Sequence, residues 1–118
     1  MKLNQNKDRL TINLSTELTA PQIEQLIIDL ALLRNKMTPE VPLTLPPSDA
    51  NLLTQDDARF SIALLDSGMF RLYFRNRGAG WMVYTLQPAK AIALAEYIRT
   101  RTIKSQSGAD LPPAHDTH

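Results

Sequence analysis

Apolar and polar positions alternate in some stretches of this chain and recur every three or four residues in others. Leu10-Thr11-Ile12-Asn13-Leu14 alternates at period two and reads as a half-buried strand. Thr19-Ala20-Pro21-Gln22 has the chemistry of a helix start. The Thr19 hydroxyl can accept from a free helix N–H, Gln22 holds the capping-box position, and Pro21 falls where a missing N–H costs nothing. The spacing predicts a helix from Ile23 to near Met37, with Ile23, Leu26, Ile27, Leu30, Leu33 and Met37 on its buried stripe.

From Thr38 to Asp57 the periodicity is lost. Pro39, Pro42, Pro46 and Pro47 break any helix and restrict any strand to an edge. The reading is an extended segment crossing the core, with Val41, Leu43, Leu45, Leu52 and Leu53 available for burial and a short edge strand near Val41 to Leu45. A partner-binding loop is the functional alternative.

Three strands follow. Phe60, Ile62 and Leu64 form one alternating row, and Phe70, Leu72 and Phe74 form another. Asp66-Ser67-Gly68 suits a three-residue hairpin loop, with Gly68 in the left-handed position. That loop pairs Leu64 with Phe70, Ile62 with Leu72 and Phe60 with Phe74, so both apolar rows share a face. The second connection, Asn76 to Gly80, admits two registers. The preferred one places Met82, Tyr84 and Leu86 on the core face and leaves Trp81 outside. Pro88 then opens a second helix to near Lys104, with Ala91, Leu94, Ala95, Ile98 and Thr102 directed inward.

The expected architecture is α+β, a two-layer sandwich in the order β-α-(long Pro-rich loop)-β-β-β-α. The N-terminal strand joins the three-strand meander in one antiparallel sheet, and both helices cover one face. Residues 1–104 form a single domain, and residues 105–118 form a disordered tail. The helix–three strands–helix order of residues 20–104 is similar to that of double-stranded RNA-binding domains. The resemblance is one of element order. The lysine cluster those domains carry at the start of their second helix has one counterpart here, Lys90 in Gln87-Pro88-Ala89-Lys90. The resemblance therefore assigns no family and no function.

Composition narrows the chemistry. The chain has 118 residues, no Cys, and its two histidines, His115 and His118, lie at the very end. The body thus has no Ser-His-Asp triad, no thiol nucleophile and no histidine or cysteine metal site. Asp56 and Asp57 are neighbours in an extended stretch, point to opposite sides, and make a poor acid–base pair. Gly78-Ala79-Gly80 joins strand to strand and lacks the Lys-Ser/Thr of a phosphate loop. The expectation is a non-enzyme without cofactor or metal. No apolar segment resembles a secretory signal or a membrane span, so a cytoplasmic location without membrane contact is expected.

Charge is distributed unevenly behind a net +1. Residues 1–58 hold five basic and eight acidic side chains, whereas residues 59–104 hold eight basic and two acidic. Arg71, Tyr73 and Arg75 project from the face opposite Phe70, Leu72 and Phe74. Arg77 extends the row, and Trp81 joins it in the preferred register. Guanidinium and aromatic planes on one sheet face suit a single-stranded nucleic acid or an acidic protein. Lys90, Tyr97, Arg101 and Lys104 form a second basic stripe, within about 60° on a helical wheel. Ile28 and Leu32 form an apolar pair on the far side of the first helix, a candidate protein interface. The favoured expectation is a small binding or adaptor protein with an unidentified protein partner or a second copy of itself. Nucleic-acid binding is the alternative.

Overall fold

Asn4 turns the N-terminus back on itself. Its side-chain carbonyl accepts from the backbone N–H groups of Asp8 and Arg9, both at 3.0 Å, and its amide donates to the Asp8 carboxylate at 2.6 Å. The result is a small antiparallel pair, β1 (Lys2–Leu3) and β2 (Leu10–Thr11), with Lys2 opposite Thr11 and Leu3 opposite Leu10. The structure, a computed structural model, describes residues 1–14 and 17–107. Residues 1–53 and 77–80 form one compact unit, and residues 54–76 with those from 81 onward form another.

In the first unit, α1 runs from Ala20 to Arg34. The Thr19 hydroxyl accepts from the Gln22 N–H at 3.4 Å, and the Gln22 side chain accepts from the Thr19 N–H at 2.9 Å. The capping box read from the sequence is therefore complete. Leu26, Ile27, Leu30 and Leu33 are half-buried along one stripe, while Ile23 stays exposed. After the helix, the Thr38 N–H donates to the Lys7 carbonyl at 2.8 Å, tying the chain to the β1–β2 turn.

In the second unit, β3 (Phe60–Leu64), β4 (Phe70–Asn76) and β5 (Gly80–Leu86) form a meander in the order β3-β4-β5. Phe60 pairs with Phe74, Ile62 with Leu72 and Leu64 with Phe70, as the turn chemistry predicts. Gly68 has φ +90°, its N–H donates to the Leu65 carbonyl at 2.9 Å, and the Leu65 N–H donates to the Met69 carbonyl at 2.9 Å. This is a tight turn closed by a left-handed glycine. At the other end of the ladder, the Gln55 side-chain amide donates to the Arg75 carbonyl at 2.8 Å. The helix α2 (Pro88–Ser107) follows β5 directly.

The α+β class and the element order match the expectation, and four details differ. The N-terminal strand pairs with Lys2–Leu3 rather than with the meander, because the Asn4 turn supplies a local partner first. It also stops at Thr11, and Ile12 and Leu14 are exposed. The Pro-rich segment covers no core: it holds no strand, Leu43 and Leu45 are 96% and 95% exposed, and Val41, Leu52 and Leu53 are exposed as well. Its prolines cannot donate a backbone N–H and restrict the helical conformation, which keeps the segment out of helix and strand. The second helix extends three residues past Lys104, and the rest of the expected tail, residues 108–118, lies outside the described residues.

Candidate functional site

The second unit presents two sheet faces with different chemistry. The apolar face carries Phe60, Ile62, Leu64, Phe70, Leu72 and Phe74, with the Phe60 and Phe74 rings 6.3 Å apart between centroids. The inner side of α2 lies over part of this face. Ala91, Leu94, Ala95 and Ile98, four of the five residues read as inward, line a groove with Phe70 and Leu72. Leu86 and Ile62 line the same groove. Leu86 is therefore on the apolar face, and alternation along β5 puts Tyr84 and Met82 there with it and Trp81 on the other side.

The groove does not close. Its volume is about 430 Å³, and among the described residues no side chain is fully buried. On the apolar sheet face the β3 row is the most open: Phe60, Ile62 and Leu64 are 64%, 55% and 66% exposed, and of these Ile62 also lines the groove. Sequence patterning reads this row as core, because alternation shows which face a residue shares but not whether anything covers it. The missed signal is the composition of β3 itself. Phe-Ser-Ile-Ala-Leu is an edge strand with no charge and no proline, the features that usually protect an edge.

The opposite face carries Arg71, Tyr73 and Arg75. Arg71 and Tyr73 on the central strand are half-buried, and Arg75 is exposed. The Arg71 Nε is shielded from solvent and has no hydrogen-bond partner. Trp81 is 54% exposed and lines a shallow depression with Arg59 and Asp57. Arg77 sits in the β4–β5 turn, which belongs to the first unit, so it is not grouped with the other four. In that turn Gly80 has φ +82°, and a Cβ there would lie 2.6 Å from the Glu24 Oε1.

On α2, Lys90, Tyr97, Arg101 and Lys104 are all exposed. The Arg101 guanidinium lies 5.0 Å from the centre of the Tyr97 ring, one helical turn away, so these two side chains already satisfy each other. Arg99 and Glu96 form an ion pair at 2.8 Å on the same helix. In the first unit, Ile28 and Leu32 are exposed on α1, away from its half-buried stripe.

Among the described residues no group of three His, Cys, Asp or Glu could hold a metal ion, and no helix is long and apolar enough to cross a membrane. No protein-family model matches the chain, and neither the curated proteins nor the solved structures compared with it give a match.

Proposed function

We propose that this chain is a small non-catalytic binding protein of the cytoplasm that acts through protein–protein contacts. The supporting observation is the open apolar face of the second unit, where three large side chains of one edge strand are each more than half exposed beside an open groove. Contiguous apolar surface of this kind is costly in water and marks interaction sites. The apolar Ile28–Leu32 pair on α1 is a second contact available to the same role.

Native mass spectrometry of the full chain in its own extract tests the reading. A defined protein complex should be present, be lost with Ile62→Asp or Leu32→Asp, and survive Arg75→Glu. A chain found only at 13.2 kDa, with no protein bound, would overturn it.

One observation favours a second reading, nucleic-acid binding. Trp81 and Arg75 are exposed on one sheet face, which offers a stacking plane and a phosphate contact. Anisotropy with short labelled DNA and RNA tests it. Binding that weakens linearly on a log–log salt plot and is abolished by Arg75→Glu supports this reading, and no binding at low salt removes it.

A further inference from the structure

We infer that the basic sheet face holds a subsite for a guanine nucleotide. The base stacks on Trp81, its N–H edge meets the Asp57 carboxylate, and its phosphate meets Arg59 and Arg75. The inference extends the nucleic-acid reading above, on whose basic face it rests, and names the base. It uses the sheet face opposite the apolar groove, so the protein-contact reading does not bear on it.

Charge supplies the first argument. The Arg75 N–H donates to the Arg59 carbonyl at 2.9 Å, one step beyond the Phe60–Phe74 pair. Arg59 and Arg75 therefore stand opposite each other on neighbouring strands, on the same face as Tyr73. Like charges in that position repel and destabilise a sheet. Both residues are exposed, and among the described residues neither forms an ion pair. A bound anion relieves the repulsion. A phosphate, with several acceptor oxygens, suits two guanidinium groups at once.

The aromatic plane is the second argument. Trp81 is 54% exposed on this face. With Asp57 and Arg59 it lines a depression of about 480 Å³. That volume falls within the range of about 300–1,000 Å³ found for small-molecule sites. An indole left open beside cations offers a base its flat face, and stacking of this kind needs no particular sequence.

Asp57 selects the base. A carboxylate is out of place in a site for phosphate alone, because it repels the anion. Asp57 lines the same depression as Arg59, and the two form no ion pair. An ionised carboxylate accepts hydrogen bonds and donates none. It is matched to a ligand edge with two adjacent donors. Guanine has such an edge, its ring N–H beside its exocyclic amine. Adenine and cytosine set an amine beside an acceptor nitrogen, and uracil flanks its N–H with two carbonyls.

Intrinsic fluorescence of the full chain tests the subsite, because Trp81 is its one tryptophan. GMP, AMP, CMP and UMP are titrated separately at low salt. GMP should quench Trp81 with a Kd at least about fivefold below that of AMP, the low end for a bidentate base contact. Asp57→Asn should erase the preference and leave AMP binding unchanged or tighter. Asp57 has φ +48°, a left-handed backbone that Asn also tolerates, so this variant keeps its fold. Asp56→Asn, beside the depression but outside its lining, should change nothing. Arg59→Gln should weaken all four nucleotides and flatten their salt dependence. Circular dichroism checks the fold of each variant. Anisotropy with short labelled strands, with and without guanine, identifies the source. Tighter binding of the guanine strands assigns a nucleotide within a strand, and GMP bound with all strands excluded assigns a free nucleotide.

Equal quenching by GMP and AMP would overturn the inference. So would a GMP preference that survives Asp57→Asn, or full displacement of GMP by an equal concentration of inorganic phosphate. Strands that bind and are weakened by Arg75→Glu, while no mononucleotide quenches Trp81, would overturn the subsite and leave the nucleic-acid reading standing. No binding of nucleotides or strands would remove both.

Discussion

Replacing Gly80 with Ala separates two costs that coincide at the β4–β5 turn. Gly80 holds φ +82°, a left-handed backbone that an L side chain adopts at a cost of about 1–2 kcal/mol. The new Cβ would also meet the Glu24 Oε1 at 2.6 Å and its Cδ at 3.1 Å. The second contact is with the far end of a flexible side chain, which can rotate away, so the backbone cost should dominate. Gly80→Ala is expected to destabilise the chain by about 1–2 kcal/mol. Gly80→Asn should cost less, because Asn tolerates the left-handed region. In a Glu24→Ala background the penalty of Gly80→Ala should fall by only a few tenths of a kcal/mol. Urea unfolding followed by circular dichroism, at one fixed protein concentration, reads the whole set of variants. If Glu24→Ala abolished the whole penalty, the contact rather than the backbone would set the cost. If Gly80→Ala were neutral, the turn would not need its left-handed residue.

Three further substitutions have defined outcomes. Thr19→Ala removes the acceptor of the capping box and should cost about 1 kcal/mol in the same unfolding assay, with a matching loss of helix signal. Arg71→Met replaces a shielded Nε that has no partner, so stability should be unchanged or raised; a loss above about 1 kcal/mol would mean the guanidinium contributes more than it costs. Glu96→Gln breaks an exposed ion pair with Arg99 and should shift stability by less than about 0.5 kcal/mol, the effect shrinking further at high salt.

Local chemistry makes part of this molecule legible in its sequence. The Thr19–Gln22 capping box, the Gly68 turn and the β3–β4 register each depend on a few adjacent residues whose hydrogen-bonding options are narrow. The inward stripe of α2 is legible for the same reason, since helical spacing fixes which residues share a side. The β1–β2 pair is not, because two-residue strands carry no period and the Asn4 side chain decides the turn. The exposure of the Pro-rich leucines is also hidden: apolar composition states what a segment could bury, not whether anything packs against it.

The candidate surfaces divide in the same way. Arg75 and Trp81 are exposed as expected, yet Arg71 and Tyr73, on the central strand, are half covered. Tyr97 and Arg101 share a basic stripe in the sequence and are paired with each other in the fold. The β3 row reads as core because a pattern of alternation is the same for a covered face and an uncovered one. Only its exposure distinguishes the two.

The absence of any fully buried side chain among the described residues has a calorimetric consequence. The heat capacity of unfolding grows with the apolar area that unfolding exposes, and here much of that area is already wet in the folded chain. An isolated copy should therefore melt over a broad range, with a flat dependence of stability on temperature. Covering the β3 face would transfer that missing increment to the binding step, as a negative heat capacity of association. The temperature dependence of the association enthalpy then measures how much of the face becomes covered, whatever molecule covers it.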